Sequence, residues 1–435
     1  MNHAKPNSLV RTCLPLVAFG MAFGLLLGLN VVAPGWGVST AKAVPASALL
    51  ALAVTIALSP HQRMQTVQAF IAGMSQNMVL QMGMIFVLAG VFAAFGGAIG
   101  SIDAIVAMSL HLLPENWLLP GLFGASCITS LAMGTSMGTL AAVVPIAIGV
   151  AASGGASLPV CVATVMGGAM FGDNLSVISD TTIAATRTQG CSMRAKLFVN
   201  GPVALLAAAV TVVVLLFLAN PHVSSQPSSV QVAWIAAWPY GSVLLLAVCG
   251  VPVLWILAAG IGLCLLTGLG QGSLSFMQLP GLVIAGCASM FDVLLATFFV
   301  AGLVQVAQAR GGLQVILDGL QRHVRSQPAA EASIAALAIV ADVCAANNTI
   351  AILLCGPLVR RIGEQFQLDR ARCASLLDIY ACLPQGLLPY GAQMLLVAGL
   401  ASISPLHVLP YVVYPVVLAL LAGIGMAWRM ARLNA

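Results

Sequence analysis

Apolar residues run through this chain in blocks near the length of a bilayer-spanning helix, at 14–32, 44–58, 78–100, 117–133, 138–153, 159–179, 197–219, 232–249, 251–268, 281–308, 332–358, 374–400 and 409–428. A helix rises about 1.5 Å per residue, so about 20 such residues cross a hydrocarbon layer about 30 Å thick. Inside lipid each backbone amide has to be bonded within the protein, which a helix does alone. The pattern therefore predicts an all-α polytopic membrane protein. Composition points the same way: 60% of the 435 residues are apolar and 6% charged, and the mean hydropathy is +1.06. No soluble domain covers itself with so little charge.

Charge sorts the loops. Lys and Arg mark the cytoplasmic ends of helices. Lys5, Arg11, Arg63, Arg187, Arg194 and Lys196 fall on one side of a consistent path through the first half, and the stretches 101–116, 153–158 and 220–230 hold neither Lys nor Arg. In the second half, a hairpin of two runs (232–249, 251–268) and a third run lead to Arg310, Arg322 and Arg325, and the last run ends at Arg429 and Arg432. The same order of elements thus starts from the opposite side. Echoes such as Phe86 to Val91 with Phe299 to Leu303 fall at corresponding places. This predicts two inverted-topology repeats, 1–219 and 220–435, with discontinuous or re-entrant helices. Such repeats put substrate at mid-membrane between the halves. Ala41-Lys42-Ala43 resembles a signal-peptidase site, but the first run has a counterpart in the second half, which favours a retained helix.

Five acidic residues lie within or beside apolar runs: Asp173, Asp180, Asp292, Asp342 and Asp378. An ionised side chain at bilayer depth costs at least about 2.5 kcal/mol, so each needs a partner or a task. With every Lys read as lying outside the apolar interiors, bound cations or protons are the expected partners. The densest cluster runs from Gly172 to Thr182 and offers nine side-chain oxygens, from Asp173, Asn174, Ser176, Ser179, Asp180, Thr181 and Thr182. That is a ligand set for a hard cation, with Asp173 and Asp180 as candidate Na+ ligands. Gly167, Gly168 and Gly172 just ahead favour a helix break. The plainer reading makes Asp180 and the threonines caps of the next helix. Polar breaks are also expected at Thr135, Ser136 and Thr139, at Asn347, Asn348 and Thr349 after Asp342, and along Asp378 to Gln393 with Gln385. These form a second or substrate site; the plainer reading is close packing of small residues. Asp292, placed opposite Gln76 to Gln81, is read as either a proton relay or a local hydrogen-bonding group.

The stretch Gly134-Thr135-Ser136-Met137-Gly138-Thr139 with Pro145, followed by Phe171-Gly172-Asp173-Asn174-Leu175-Ser176 and Ser179-Asp180-Thr181-Thr182, resembles the paired signatures of the NhaC-type sodium/proton antiporter family of the ion transporter superfamily. Asn347-Asn348-Thr349 and Asp378 to Gly391 match in type and order. The resemblance implies an inner-membrane, multi-pass, inverted-repeat carrier using Na+ and H+; related members move organic acids or amino acids with these ions. Asn174 stands where many such antiporters carry Lys, which leaves stoichiometry open.

The leading expectation is a Na+/H+ antiporter working by alternating access, the two ions competing for aspartate carboxylates. The alternative is Na+- or H+-coupled transport of a small organic acid or amino acid. Expected partners are Na+, H+, a small organic solute in the second reading, the lipid bilayer and a second copy in a homodimer, with no cofactor beyond the transported ions. Scattered basic residues argue against nucleic acid. Channels suit inverted halves less well, and no His cluster, nucleotide loop or nucleophile-base spacing points to an enzyme.

Overall fold

A computed structural model describes residues 6–32, 40–101, 104, 114–152, 156–218, 234–312, 319 and 326–433. Among these residues the regular structure is helix, with no strand. The first half comprises α1 (Pro6–Val32), α2 (Thr40–Ala57), α3 (Arg63–Met74), α4 (Asn77–Ala98), α5 (Leu118–Met133), α6 (Ser136–Ala152), α7 (Leu158–Leu175), α8 (Asp180–Gln189) and α9 (Met193–Leu218). The second comprises α10 (Trp234–Val248), α11 (Val253–Gly270), α12 (Leu279–Ser289), α13 (Phe291–Ala309), α14 (Gln327–Ala345), α15 (Asn348–Gln365), α16 (Arg370–Leu387), α17 (Ala392–Ala401) and, after a short turn of helix, α18 (Val413–Leu433). Six of the helical stretches are long and apolar enough to cross a bilayer, and two bent pairs raise the total to eight. The protein is a multi-pass membrane protein.

The element order of the halves corresponds in detail. α5 ends at Met133 and α14 at Ala345; α6 begins at Ser136 and α15 at Asn348; α7 ends at Leu175 and α16 at Leu387; α8 begins at Asp180 and α17 at Ala392. Every pair lies 212 residues apart. Between α5 and α6 the chain turns through Gly134 at φ 65°, and between α14 and α15 through Ala346 at φ 50°, the left-handed region that most residues avoid. Packing is reciprocal: α3 lies on α13 and α4 on α12, and α8 lies on α15 while α17 lies on α6.

Two expectations change. The run 281–308 is two helices, α12 and α13, parted at Met290, where the Ser289 hydroxyl bonds back to the Gly286 carbonyl at 2.7 Å; hydropathy is blind to this because the flanking residues are apolar. Ala41-Lys42-Ala43 lies in the first turns of α2, with Ala43 fully buried, and α1 packs on both α2 and α13. Gln76 pairs with Gln305 at 2.9 Å rather than facing Asp292, which sits half-buried in the first turn of α13. The loops 220–230 and 105–113 and the residues Lys5, Arg322 and Arg325 lie outside the described residues.

Several of the described arginines are pinned by specific contacts. Gly190, after α8, lies beside Arg360 and Arg370, the Arg310 guanidinium donates to Ser59 at 3.0 Å and Thr66 at 2.8 Å, and Arg372 and Arg429 share Glu331.

Candidate functional site

The last turn of α7 is held hard against α5. A Cβ on Gly172 would meet the Ser130 side chain and lie 2.6 Å from the Leu131 amide, and the Ser130 hydroxyl donates to the Ala169 carbonyl at 2.6 Å. Gly168 and Gly172 are therefore contact residues, and the expectation that they break the helix is corrected. The break comes later. Ser176 and Ser179 are extended, with ψ 134° and 138°, so Asp173 and Asp180 sit on separate helices and the shared-face spacing of an intact helix does not apply. Ser176 donates to the Leu131 carbonyl at 2.9 Å, tying the break to α5.

Ser179 is the N-cap residue of α8 yet makes no capping bond. Its hydroxyl donates instead to Asp173 Oδ1 at 2.5 Å. Each hydroxyl carries one proton, so Thr181, 2.9 Å from Ser179, is the donor to it. On the other side Ser136, at the start of α6, donates to Asp173 Oδ2 at 2.9 Å and accepts from Gln393 Nε2. Two relays therefore converge on one carboxylate, from Thr181 through Ser179 and from Gln393 through Ser136. The second relay begins in the other half of the chain.

Asp173 and Ser136 face a cavity of about 590 Å³ between the halves. The first half supplies Gly134, Thr135, Asp180 and Thr181 to its wall, α4 adds Gln81 and Met82, and the second half adds Asn347, Asn348, Thr349, Gln385 and Gln393. Asp180 is exposed into this space. In the 212-residue register Asp173 answers to Gln385, Asp180 to Ala392 and Thr181 to Gln393. Charge is thus confined to one side of the cavity, and neutral amides occupy the other. A neighbouring cavity of about 570 Å³, lined by Gln76, Thr297, Gln308 and Tyr390, shares Met82, Asn347 and Ala392 with the first.

The other sequence candidates lie elsewhere. The Thr139 hydroxyl returns to the Thr135 carbonyl at 3.0 Å. Asn174 bonds the Met170 carbonyl and Cys382 through Nδ2. Thr182 accepts from Lys196 at 2.8 Å. Asp342 is fully buried, and neither carboxyl oxygen has a hydrogen bond of standard geometry; the nearest donor is the Gln385 backbone amide.

Asp378 overturns the reading that no Lys reaches the interior. Lys196, in the first turn of α9, is 0% exposed, and its Nζ lies 2.6 Å from Asp378 Oδ2. The same ammonium donates to the Asn174 carbonyl at 2.7 Å and to Thr182, filling its three donors. Asn200 donates weakly to Asp378 at 3.3 Å and accepts from Ser375 at 2.6 Å. Lys196 therefore grips the last turn of α7, where carbonyls lack helical partners, the first turn of α8 and the second half at once. One sign of this is legible in the chain: Lys196 directly abuts an apolar run, and a four-carbon stem lets such a residue turn inward. Gln393, too, was overlooked as a site residue, being only the end of a polar stretch.

The sequence model described as the Na+/H+ antiporter family matches residues 9–220 and 224–428. The chain is 24% identical to a malate-2H+/Na+-lactate antiporter of Bacillus subtilis (strain 168), over 79% of this chain and 80% of that protein. It is also 24% identical to the Na+/H+ antiporter NhaC of the same organism, over 72% of this chain and 76% of that protein.

Proposed function

We propose, from the premise that this chain belongs to the Na+/H+ antiporter family, that it exchanges Na+ for H+ by alternating access, with Asp173 as the group for which the two ions compete. The carrying observation is the position of that carboxylate. Both its oxygens are fixed by hydroxyls from separate elements, and it faces a cavity whose far wall belongs to the other half. Two accepted hydrogen bonds leave carboxylate lone pairs for a bound ion. A proton and a sodium ion neutralise the same charge, so each displaces the other, and that displacement links the fluxes. Asp180, exposed in the cavity, attracts cations to the entrance.

The moving parts in this reading are the halves 1–219 and 220–435, acting as inverted repeats. The 212-residue register of helix ends, the paired left-handed turns and the reciprocal packing support it. The matched stretches of the family model also meet at 220–224. The bacterial inner membrane, with the arginine-rich ends cytoplasmic, is where such a carrier would work.

The test is reconstitution. Liposomes loaded with Na+ and diluted into Na+-free buffer are expected to acidify inside, read with an entrapped pH dye, and choline in place of Na+ should give no signal. No acidification with functional protein present would overturn antiport.

A second reading, coupled transport of a small organic acid, is favoured by the similarity to the malate–lactate antiporter and by the second cavity beside the first. Its grip differs from the sequence expectation. The first amides of α15 are taken by Asn347, which accepts from Ile350, and Asn348, which accepts from Thr349, both at 2.9 Å. An organic anion would therefore be held by side-chain amides and hydroxyls. Sodium-driven accumulation of a labelled hydroxy acid in the same liposomes would support this reading, and its absence across a solute panel would remove it.

A further inference from the structure

Two side-chain oxygens beside Asp173 have no partner. Oε1 of Gln385 and Oε1 of Gln393 are buried and accept no hydrogen bond, their residues being 2% and 3% exposed. Both residues line the cavity that holds Asp173, and both belong to the second half. Amide orientation is fixed for Gln393 by the relay: Ser136 gives its one proton to Asp173, so it needs an N–H from Gln393, and the amide oxygen is turned elsewhere. A buried carbonyl oxygen left unpaired is destabilising, and a cation is the partner that uses its lone pairs without supplying a proton.

We propose that the sodium site is completed across the two halves, by the Asp173 carboxylate from the first and the amide oxygens of Gln385 and Gln393 from the second. The inference rests on the Asp173 reading above and adds its ligands. One carboxylate with neutral amide oxygens neutralises a single positive charge, so the set suits a monovalent cation and leaves a divalent one with an excess charge in a low-dielectric site. The register explains the asymmetry: Gln385 stands where a second copy of Asp173 would stand, and an acid there would change the charge the site accepts. Because α7 belongs to one half and α16 and α17 to the other, an ion held by all three draws the halves together, whereas a single proton on Asp173 can be donated to only one amide oxygen at a time.

The experiment is equilibrium binding of radioactive Na+ to purified full-length protein in detergent at a fixed alkaline pH. Gln385→Leu and Gln393→Leu are each expected to weaken Na+ binding at least tenfold. Binding within twofold of the wild type by both, with an unchanged gel-filtration profile, would overturn the ligand assignment. If the leucine variants do not fold, Gln385→Glu decides: Ca2+ is expected to displace Na+ at concentrations at least tenfold lower than in the wild type, and unchanged Ca2+ competition would reject Gln385 as a ligand. Asp173→Asn is run alongside. Wild-type Na+ binding in Asp173→Asn would sink the antiport reading itself, whereas its loss there, with normal binding in the glutamine variants, would sink only the proposal made here.

Discussion

Removing Asp378 isolates a fully buried ammonium. Lys196 is held by one carboxylate and two neutral oxygens, and Asp378→Leu deletes the carboxylate at 2.6 Å while leaving the Asn174 carbonyl and Thr182 in place. Breaking a buried pair on one side costs about 3–5 kcal/mol, because the surviving charge stays desolvated and uncompensated. Lys196→Met leaves Asp378 with only the weak Asn200 contact, and a loss of the same order is expected. Replacing both with apolar residues removes both charges, a change that is often near neutral. Here it still strands the Thr182 hydroxyl, at about 1–3 kcal/mol, while the Asn174 carbonyl keeps its long contact from Asn200 at 3.4 Å. The double variant is therefore expected to be more stable than either single variant. The assay is unfolding of all four proteins in detergent by a denaturant titration, arranged as a double-mutant cycle. A coupling energy of about 2 kcal/mol or more supports the reasoning. Additive losses, with the double variant least stable of all, would refute the claim that the two charges compensate each other.

Other outcomes follow from single contacts. Gly172→Ala forces a methyl into Ser130 and the Leu131 backbone, so it should cost about 1–3 kcal/mol and weaken Na+ binding by shifting Asp173; a wild-type melting curve would contradict the close-contact account. Asp342→Leu removes a buried carboxyl that has no hydrogen bond of standard geometry and only the Gln385 amide acting on it; it should leave thermal stability unchanged or raised, whatever happens to transport, and a clear drop in melting temperature would show that the Gln385 contact stabilises the fold. Ser179→Ala strips one hydroxyl from Asp173 and strands that of Thr181; Na+/H+ exchange should fall while Ser179→Thr retains it, and equal activity in both variants would take Ser179 out of the site.

Much of this arrangement was legible before any coordinates. Apolar run lengths marked most of the helices, and Gly134 and Asn347 announced breaks through residues that favour a left-handed turn or a cap. Asp173, Ser179, Asp180 and Thr181 stood out because polar oxygens rarely cluster at bilayer depth. The misreadings have local causes. Ser176, Thr182, Thr139 and Asn174 share composition with the residues at the cavity, but side-chain direction decides which oxygens face it, and a broken helix hides that direction. Lys196 was assigned to a loop because run boundaries follow backbone hydropathy, whereas its side chain travels inward from the helix start. Gln385 was legible as a residue of a polar helix break, but its place opposite Asp173, like that of Gln393 opposite Thr181, follows only from the register of α7 with α16 and of α8 with α17.

Competition for one carboxylate is tested most directly by titrating Na+ into the purified protein at a series of pH values, for the wild type and for Asp173→Asn. The wild type is expected to bind Na+ with an affinity that falls toward tenfold per pH unit on the acidic side, with protons released on binding, and Asp173→Asn is expected to show neither binding nor proton release. Sodium binding that is independent of pH, or that survives intact in Asp173→Asn, would contradict the account.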